Sequence, residues 1–194
     1  TAASPVVEQG AGAFTVICEV VAEELKVSTE SVQLDHLDTR SVPSDGGVGG
    51  SRATRVYGNA AYEAGSKARE EIMAIAAQRL GVAPGELTLT GGFVTHRRTG
   101  RRMSFAQAVK VKGSPIHVKG YYKHAEKSHE ASIAAQIAEV EVDRETGRIE
   151  LRQMISAHTT GRVINPLMHQ GQIDGGVIFG MGYGLMEHLI IDGG

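Results

Sequence analysis

Six glycines, among them those at positions 171, 175, 176, 180 and 184, punctuate an apolar run, Asn165 to His188, that otherwise reads as a helix. Each glycine inside a helix costs roughly 1 kcal/mol relative to alanine. A helix bearing that cost is expected to have something close against its bare side, either another element of the fold or a large flat ligand. Asn165-Pro166 suits its start, with the asparagine as cap and the proline in the first turn. Glycine is abundant elsewhere too, at 25 residues against 5 prolines. That balance points to sharp bends and close backbone approaches rather than to a disordered linker.

Hydrophobic periodicity places the other elements. Phe14, Ile17, Cys18, Val21 and Leu25 recur at helical spacing, predicting a helix over Ala13 to Lys26. A strand over Val32 to Leu37 follows, then a glycine-rich loop, Ser44 to Arg52. Tyr57 to Leu80 forms a second helix with Ala61, Ala64, Ala68, Ile72, Ile75 and Ala76 on its inner side, stopped by Gly81 and Pro84. Leu87 to Thr95 reads as one strand, RRTGRR as a hairpin tip and Ser104 to Val109 as a short helix, within a polar, basic stretch from Arg97 to His129. Ile133, Ala135 and Ile137 alternate inward, and Val140 and Val142 take over that role, so a bulge is expected between Ile137 and Val140. Asp143 to Gly147 turn the chain, and Ile149 and Leu151 return it.

Two segments repeat a pattern. AEELKVSTESVQL from Ala22 and AQRLGVAPGELTL from Ala77 align Leu25 with Leu80, Val27 with Val82 and Leu34 with Leu89. Each is a helix, a turn and a strand, as a duplicated α/β unit would be. The expected fold class is α+β: two-layer lobes of helices on mixed β-sheets, lobe one about 1–112 and lobe two about 113–194.

Composition excludes several functions. A net charge of −2 gives no field for nucleic acid or membrane surface. The basic HRRTGRR segment carries no interleaved aromatics and reads as a solvated turn. GVIFGMGYGLM falls far short of the ~20 residues of a membrane-spanning helix. With one cysteine, Cys18, no internal disulfide is possible, and the eight histidines include no helical His-x-x-x-His pair, so no zinc site is expected. Thr1 and the final LIIDGG both read as internal to a longer chain, and a cytoplasmic location is expected.

Three segments can carry chemistry. Gly10 and Gly12 precede the first helix, where free N–H groups bind phosphate or simply make a tight turn. The Ser44–Arg52 loop has four glycines in five positions, which can form an anion nest with Ser51 and Arg52 beside it, or a plain surface loop. It has neither a P-loop ending nor a dinucleotide fingerprint. Gln172 lies between Gly171 and the Gly175-Gly176 pair, where its amide can meet a heterocycle or an oxo group, or edge a core helix.

In this order the segments resemble the molybdenum-cofactor-binding subunit of the xanthine dehydrogenase/aldehyde oxidase family. The resemblance runs from about Glu8 to Glu187. It is most specific at GVGGSRAT before YGNAAYEA, and at AEVEVDRETGRIE running into GRVINPLMHQGQIDGG. It implies a molybdenum–pterin cofactor, in plain or dinucleotide form, and oxidation of aldehydes or N-heterocycles. It also implies iron–sulfur clusters and FAD on partner domains or subunits. The implied cofactor-binding residues are Gln9, Gly10, Ala11 and Gly12 in one turn, Gly49, Gly50, Ser51, Arg52 and Ala53 in the loop, and Gln172. Ala11 stands where the family has a glutamine, Ala53 where some members have serine, and Thr159 where many have aspartate. Gln172 resembles the family's glutamine beside the metal's apical oxo ligand. The family's catalytic glutamate is expected beyond Gly194, so these 194 residues hold no catalytic residue and no metal ligand, and are expected to be inactive alone. A non-catalytic phosphate- or nucleotide-binding module is the alternative reading of the same glycine turns.

Overall fold

A computed structural model describes residues 1–35, 38, 40–123 and 131–193. The chain divides into two compact units, Thr1–His124 and Ala125–Gly194. Helices and small sheets alternate in an α+β fold.

The first unit is built on two packed helices, α1 (Ala13–Leu25) and α2 (Ala53–Leu80). α1 buries Ala13, Val16, Ile17 and Ala22. Val6, Ala13, Ile17, Tyr57 and Ala61 form one core, with Leu34, Val48 and Ala53 packed around it. Strand β1 (Ala2–Ala3) pairs in parallel with β2 (Leu34–Asp35). The remainder of the strand expected to reach Leu37 lies outside the described residues.

The repeat seen in the sequence is matched bond for bond. Each helix ends in a left-handed residue, Lys26 at φ 50° and Gly81 at φ 69°. Val27 N–H then donates to the Ala22 carbonyl at 3.0 Å, and Val82 N–H to the Ala77 carbonyl at 3.1 Å. This is the helix stop in which the second residue past the cap reaches back a full turn. A single 3-10 turn follows in each copy, Thr29–Ser31 and Pro84–Glu86, before β2 and β3.

Strands β3 (Leu87–Thr90), β4 (Phe93–His96) and β5 (Arg102–Ser104) form an antiparallel sheet. The single strand expected over Leu87–Thr95 is therefore two. Gly91 and Gly92, at φ 58° and 79°, turn the chain between them. Paired glycines supply the positive φ that a two-residue hairpin needs. Ile72, Ala76 and Ala77 of α2 pack on Leu87, Leu89, Val94 and Met103 of this sheet, and Ala108 of helix α3 (Phe105–Lys112) closes that core. Ser104 caps α3 by accepting from Gln107 N–H at 3.2 Å while Gln107 returns the bond to Ser104 N–H at 2.8 Å. His96 is buried in β4, and its Nδ1 lies 2.6 Å from Thr99 Oγ1 at the hairpin tip.

The chain past α3 stays with the first unit. Lys67 Nζ donates to the Lys119 carbonyl at 3.0 Å, and Tyr121 N–H donates to the Glu63 carboxylate. Gly120 runs so close to α2 that a Cβ there would sit 1.9 Å from the Ala60 carbonyl oxygen.

The second unit holds the hairpin β6 (Ala134–Val142) and β7 (Ile149–His158), and α4 (Pro166–Leu185). The bulge falls between Glu139 and Val140. Asp143 accepts from Glu145 and Thr146 N–H at 2.8 and 3.0 Å to shape the turn. Asn165 caps α4 through Met168 N–H at 3.2 Å. The inward face expected for Ile133, Ala135, Ile137, Val140 and Val142 is not buried, since every residue of β6 is exposed and α4 has no buried residue. Alternation marks a face made for burial, but one hairpin lacks the second layer that would cover it.

The close approach of α1 and α2 makes a prediction. A Cβ at Gly65 would lie 2.8 Å from Glu24 Cβ, an atom fixed to the backbone, whereas at Gly58 the nearest neighbour is Val16 Cγ1 at 3.8 Å. Alanine in a helix gains about 1 kcal/mol over glycine, and overpacking costs about 1–3 kcal/mol. Gly65→Ala should therefore lower the unfolding temperature while Gly58→Ala raises it, read from thermal melts of the two variants.

Candidate functional site

The two glycine turns open the two packed helices. Ala13 at the start of α1 and Ala53 at the start of α2 contribute to the same core, so both turns border it. Gly10 and Gly12 have φ of 82° and 74°, as a chain swinging into a helix requires.

The N–H groups that the sequence leaves free at α1 have an occupant. Glu8 Oε1 accepts from Gly12 N–H at 2.9 Å and Oε2 from Phe14 N–H at 3.2 Å. Burial works to raise the pKa of this carboxyl, but backbone bonds from Phe14, Gly12, Ala11 and Gly10 outweigh it and hold the group below its ordinary value of 4.5. A carboxylate at a helix N-terminus is favoured by the dipole and by the orphan N–H groups. Of the two readings of Gly10–Gly12, a phosphate-binding turn or a simple tight turn, the Glu8 bonds favour the second: the chain brings its own anion. Gln9 is exposed beside it and Ala11 half-buried.

The second turn is anchored from below. Asp45 accepts from Gly47 N–H at 2.9 Å with one carboxylate oxygen and from the Tyr57 hydroxyl with the other. Burial, reinforced by the Asp45 bond and charge and opposed by Arg52, pushes the Tyr57 phenol up to about 12. Gly47, Gly50 and Ser51 take positive φ of 72°, 75° and 53°. Nothing lies within 4 Å of where a Cβ would stand at Gly47, Gly49 or Gly50, so the outer side of the loop is bare backbone. Arg52 instead folds inward, its guanidinium 2.9 Å from the Cβ position of Gly46. Among the described residues its buried Nε has no hydrogen-bond partner.

Gln172 lies in the second unit, on α4. With His169, Ile173, Gly176 and Val177 of that helix, and with Gln136 of β6 and His158 of β7, it lines a cavity of about 400 Å³. Gln136 Nε2 donates to Ser156 Oγ at 3.2 Å, and Ser156 Oγ lies 2.7 Å from His158 Nε2. Among the described residues nothing lies within 4 Å of the Cβ positions of Gly171, Gly175, Gly176, Gly180 and Gly184, and at Gly182 only Glu187 Oε1 comes near, at 3.5 Å. Thr159 locks the open end of the hairpin, donating from Oγ1 to the Ile133 carbonyl at 3.2 Å and accepting from Ile133 N–H at 3.0 Å. An aspartate there can accept but, ionised, cannot donate.

Cys18 is half-buried, and burial, then the Glu19 charge, raise its thiol, which fits a packing role. Among the described residues no group of three His, Cys, Asp or Glu converges to hold a metal ion. No described helix is long and apolar enough to cross a membrane. The donor set at Gln172 is two amides and two imidazoles beside open glycine backbone. Amide and imidazole donors and acceptors beside open backbone suit a flat heterocyclic group.

The whole chain, residues 1–194, matches the family described as "Molybdopterin cofactor-binding domain" and belongs to it. Among curated proteins it is 27% identical over 193 residues to the 6-hydroxypseudooxynicotine dehydrogenase complex subunit gamma of Paenarthrobacter nicotinovorans, covering 94% of this chain and 24% of that protein. It is 29% identical over 186 residues to the aldehyde oxidoreductase molybdenum-binding subunit PaoC of Escherichia coli K12, covering 94% of this chain and 24% of that protein. The chain thus spans about a quarter of the length of these relatives. Quinoline 2-oxidoreductase from Pseudomonas putida 86 shares the fold, with a TM-score of 0.81 at 23% identity over 98% of this chain and 25% of that one.

Asp45 and Tyr57, twelve residues apart with no motif between them, and the imidazoles of His158 and His169 were not legible as site residues in the sequence. Glu8 carried a signal, an acid four residues before the last glycine of a helix-opening turn.

Glu8 gives a pH-dependent test. Its folded pKa is depressed, so its contribution is present above the ordinary value and disappears as pH falls through the folded pKa. Glu8→Gln should lower stability near neutral pH by about 1 kcal/mol and flatten the acid limb of the stability curve. Melts of both proteins between about pH 2 and 7 read the difference.

Proposed function

We propose that this chain supplies part of the pocket for a molybdenum–pterin cofactor, plain or dinucleotide, within an oxidoreductase acting on aldehydes or N-heterocycles. The observation that carries the reading is Gln172, on a helix of the matched family, facing a cavity beside glycines whose open sides admit a close approach. The relatives support the substrate class through their names, one an aldehyde oxidoreductase subunit and another the nicotine 6-hydroxylase large subunit.

When bound, the cofactor supplies the two-electron oxidation. The chain's part is to bind and orient it. The bare outer backbone of Gly49 and Gly50, with Ser51, Arg52 and Ala53 continuing into α2, offers N–H groups to one edge, held in shape by the Asp45–Tyr57 anchor. Gln9, Gly10, Ala11 and Gly12 present the neighbouring turn, with Glu8 fixing its backbone. The Gln172 amide donates to a polar atom of the cofactor and accepts from it. Iron–sulfur and flavin groups on partner domains or subunits would take the electrons onward, in keeping with a relative named as a subunit of a complex. The protein works in the cytoplasm. The 194 residues alone turn over no substrate, because they correspond to about a quarter of the length of the relatives.

Gln172→Ala in the full-length protein tests the assignment. Losing one preorganised donor costs about 3 kcal/mol of barrier, roughly a hundredfold in rate. Gln172 is exposed in its unit, so the melt should not move. The expected result is a rate per bound molybdenum lowered about a hundredfold. An unchanged rate per metal would make Gln172 a helix residue without a cofactor role.

A further inference from the structure

On the first unit, away from both glycine turns in the sequence, Arg79, Arg101, Arg102 and Lys110 line one cleft of about 380 Å³ with Gln107 and the apolar Leu80, Met103 and Val111. Among the described residues no carboxylate lines it. None of the four cations has an ion-pair partner among the described residues, although Lys112 on the same helix as Lys110 is paired with Glu71 at 2.5 Å. In a chain of net charge −2, four unpaired cations around one concavity are a local reversal of sign. Their mutual repulsion is relieved by an anion.

The cations are also placed by the fold. Arg101 Nη1 donates to the Leu80 carbonyl at 3.3 Å, at the C-terminal end of α2. Arg102 lies over the Phe93 ring, 4.6 Å from its centroid, which fixes the plane of its guanidinium. Lys110 stands on α3, whose capping box secures the helix start. α2, the hairpin tip, β5 and α3 therefore each bring a residue to the same place. Planar guanidinium groups match phosphate oxygens two at a time, and a lysine adds a point charge. The buried Met103 and the exposed Val111 form an apolar floor, which inorganic phosphate would not use.

We infer that this cleft is a second binding site, for a small organic phosphate carrying at least two negative charges, of the nucleoside diphosphate class. Its phosphates lie on Arg79, Arg101, Arg102 and Lys110, and its organic part covers Leu80, Met103 and Val111. The inference stands apart from the cofactor reading, because it uses none of the same residues.

Calorimetric titration of the full-length protein with ADP, and separately with inorganic pyrophosphate, tests it. Lys110→Glu and Val111→Asp are the variants, since both positions are exposed and neither belongs to the glycine turns or to Gln172. ADP should bind saturably, and each variant should weaken it roughly tenfold with molybdenum content and melt unchanged. Raising the salt from about 50 to 200 mM should weaken it as well, because these charges are exposed. Absence of saturable ADP binding overturns the inference, as does ADP binding that survives both substitutions. Pyrophosphate bound as tightly as ADP overturns the organic-phosphate assignment. An Asp/Glu-rich peptide that binds here when ADP does not would make the cleft a protein-docking surface instead.

Discussion

The contact between α1 and α2 at Gly65 sets the arrangement of the first unit. A side chain at that point would meet Glu24 Cβ at 2.8 Å, so the two helices approach to backbone distance only because one residue lacks a Cβ. From that contact the N-terminal ends of both helices share one core and the later part of α2 is left to support the three-stranded sheet. Each glycine turn opens one of these helices, so the geometry of both depends on the pair. Rigid support of this kind makes backbone N–H groups useful to a ligand, because they need no reorganisation on binding.

Each turn is then held by an acid from its own flank. Glu8 saturates the α1 terminus and Asp45 ties the loop to the buried Tyr57. The two acids act differently on their surroundings. Glu8 fills the positions an external phosphate would take, which weakens the reading of the chain as a simple phosphate-binding module. Asp45 works from the inner side and leaves the outer backbone of Gly49 and Gly50 bare.

Much of the fold was legible because its elements follow local rules. The α1 stripe, the Gly81 stop, the Ser104 cap and the Glu139–Val140 bulge are set by residues near one another in sequence. The repeat was legible for the same reason, down to the paired Val27 and Val82 bonds. Leu87–Thr95 reads as one strand in the sequence because the alternation continues past Gly91-Gly92, and only their positive φ values mark a hairpin. The exposed face of β6 shows a different limit: alternation records the intent to bury a face, and says nothing about where its cover lies. The glycines and Gln172 carried a sequence pattern, whereas in the first unit Tyr57 meets the glycine loop, and in the second His158 meets Gln172, only through space.

Family membership together with the open glycine stripe beside Gln172 makes the central claim that this chain helps to hold a molybdenum–pterin group. The most direct test is elemental and pterin analysis of the purified full-length protein. The account predicts molybdenum and pterin in equal amounts, close to one of each per chain. Full-length, folded protein that carries neither, even when produced in cells that make the cofactor, would contradict it.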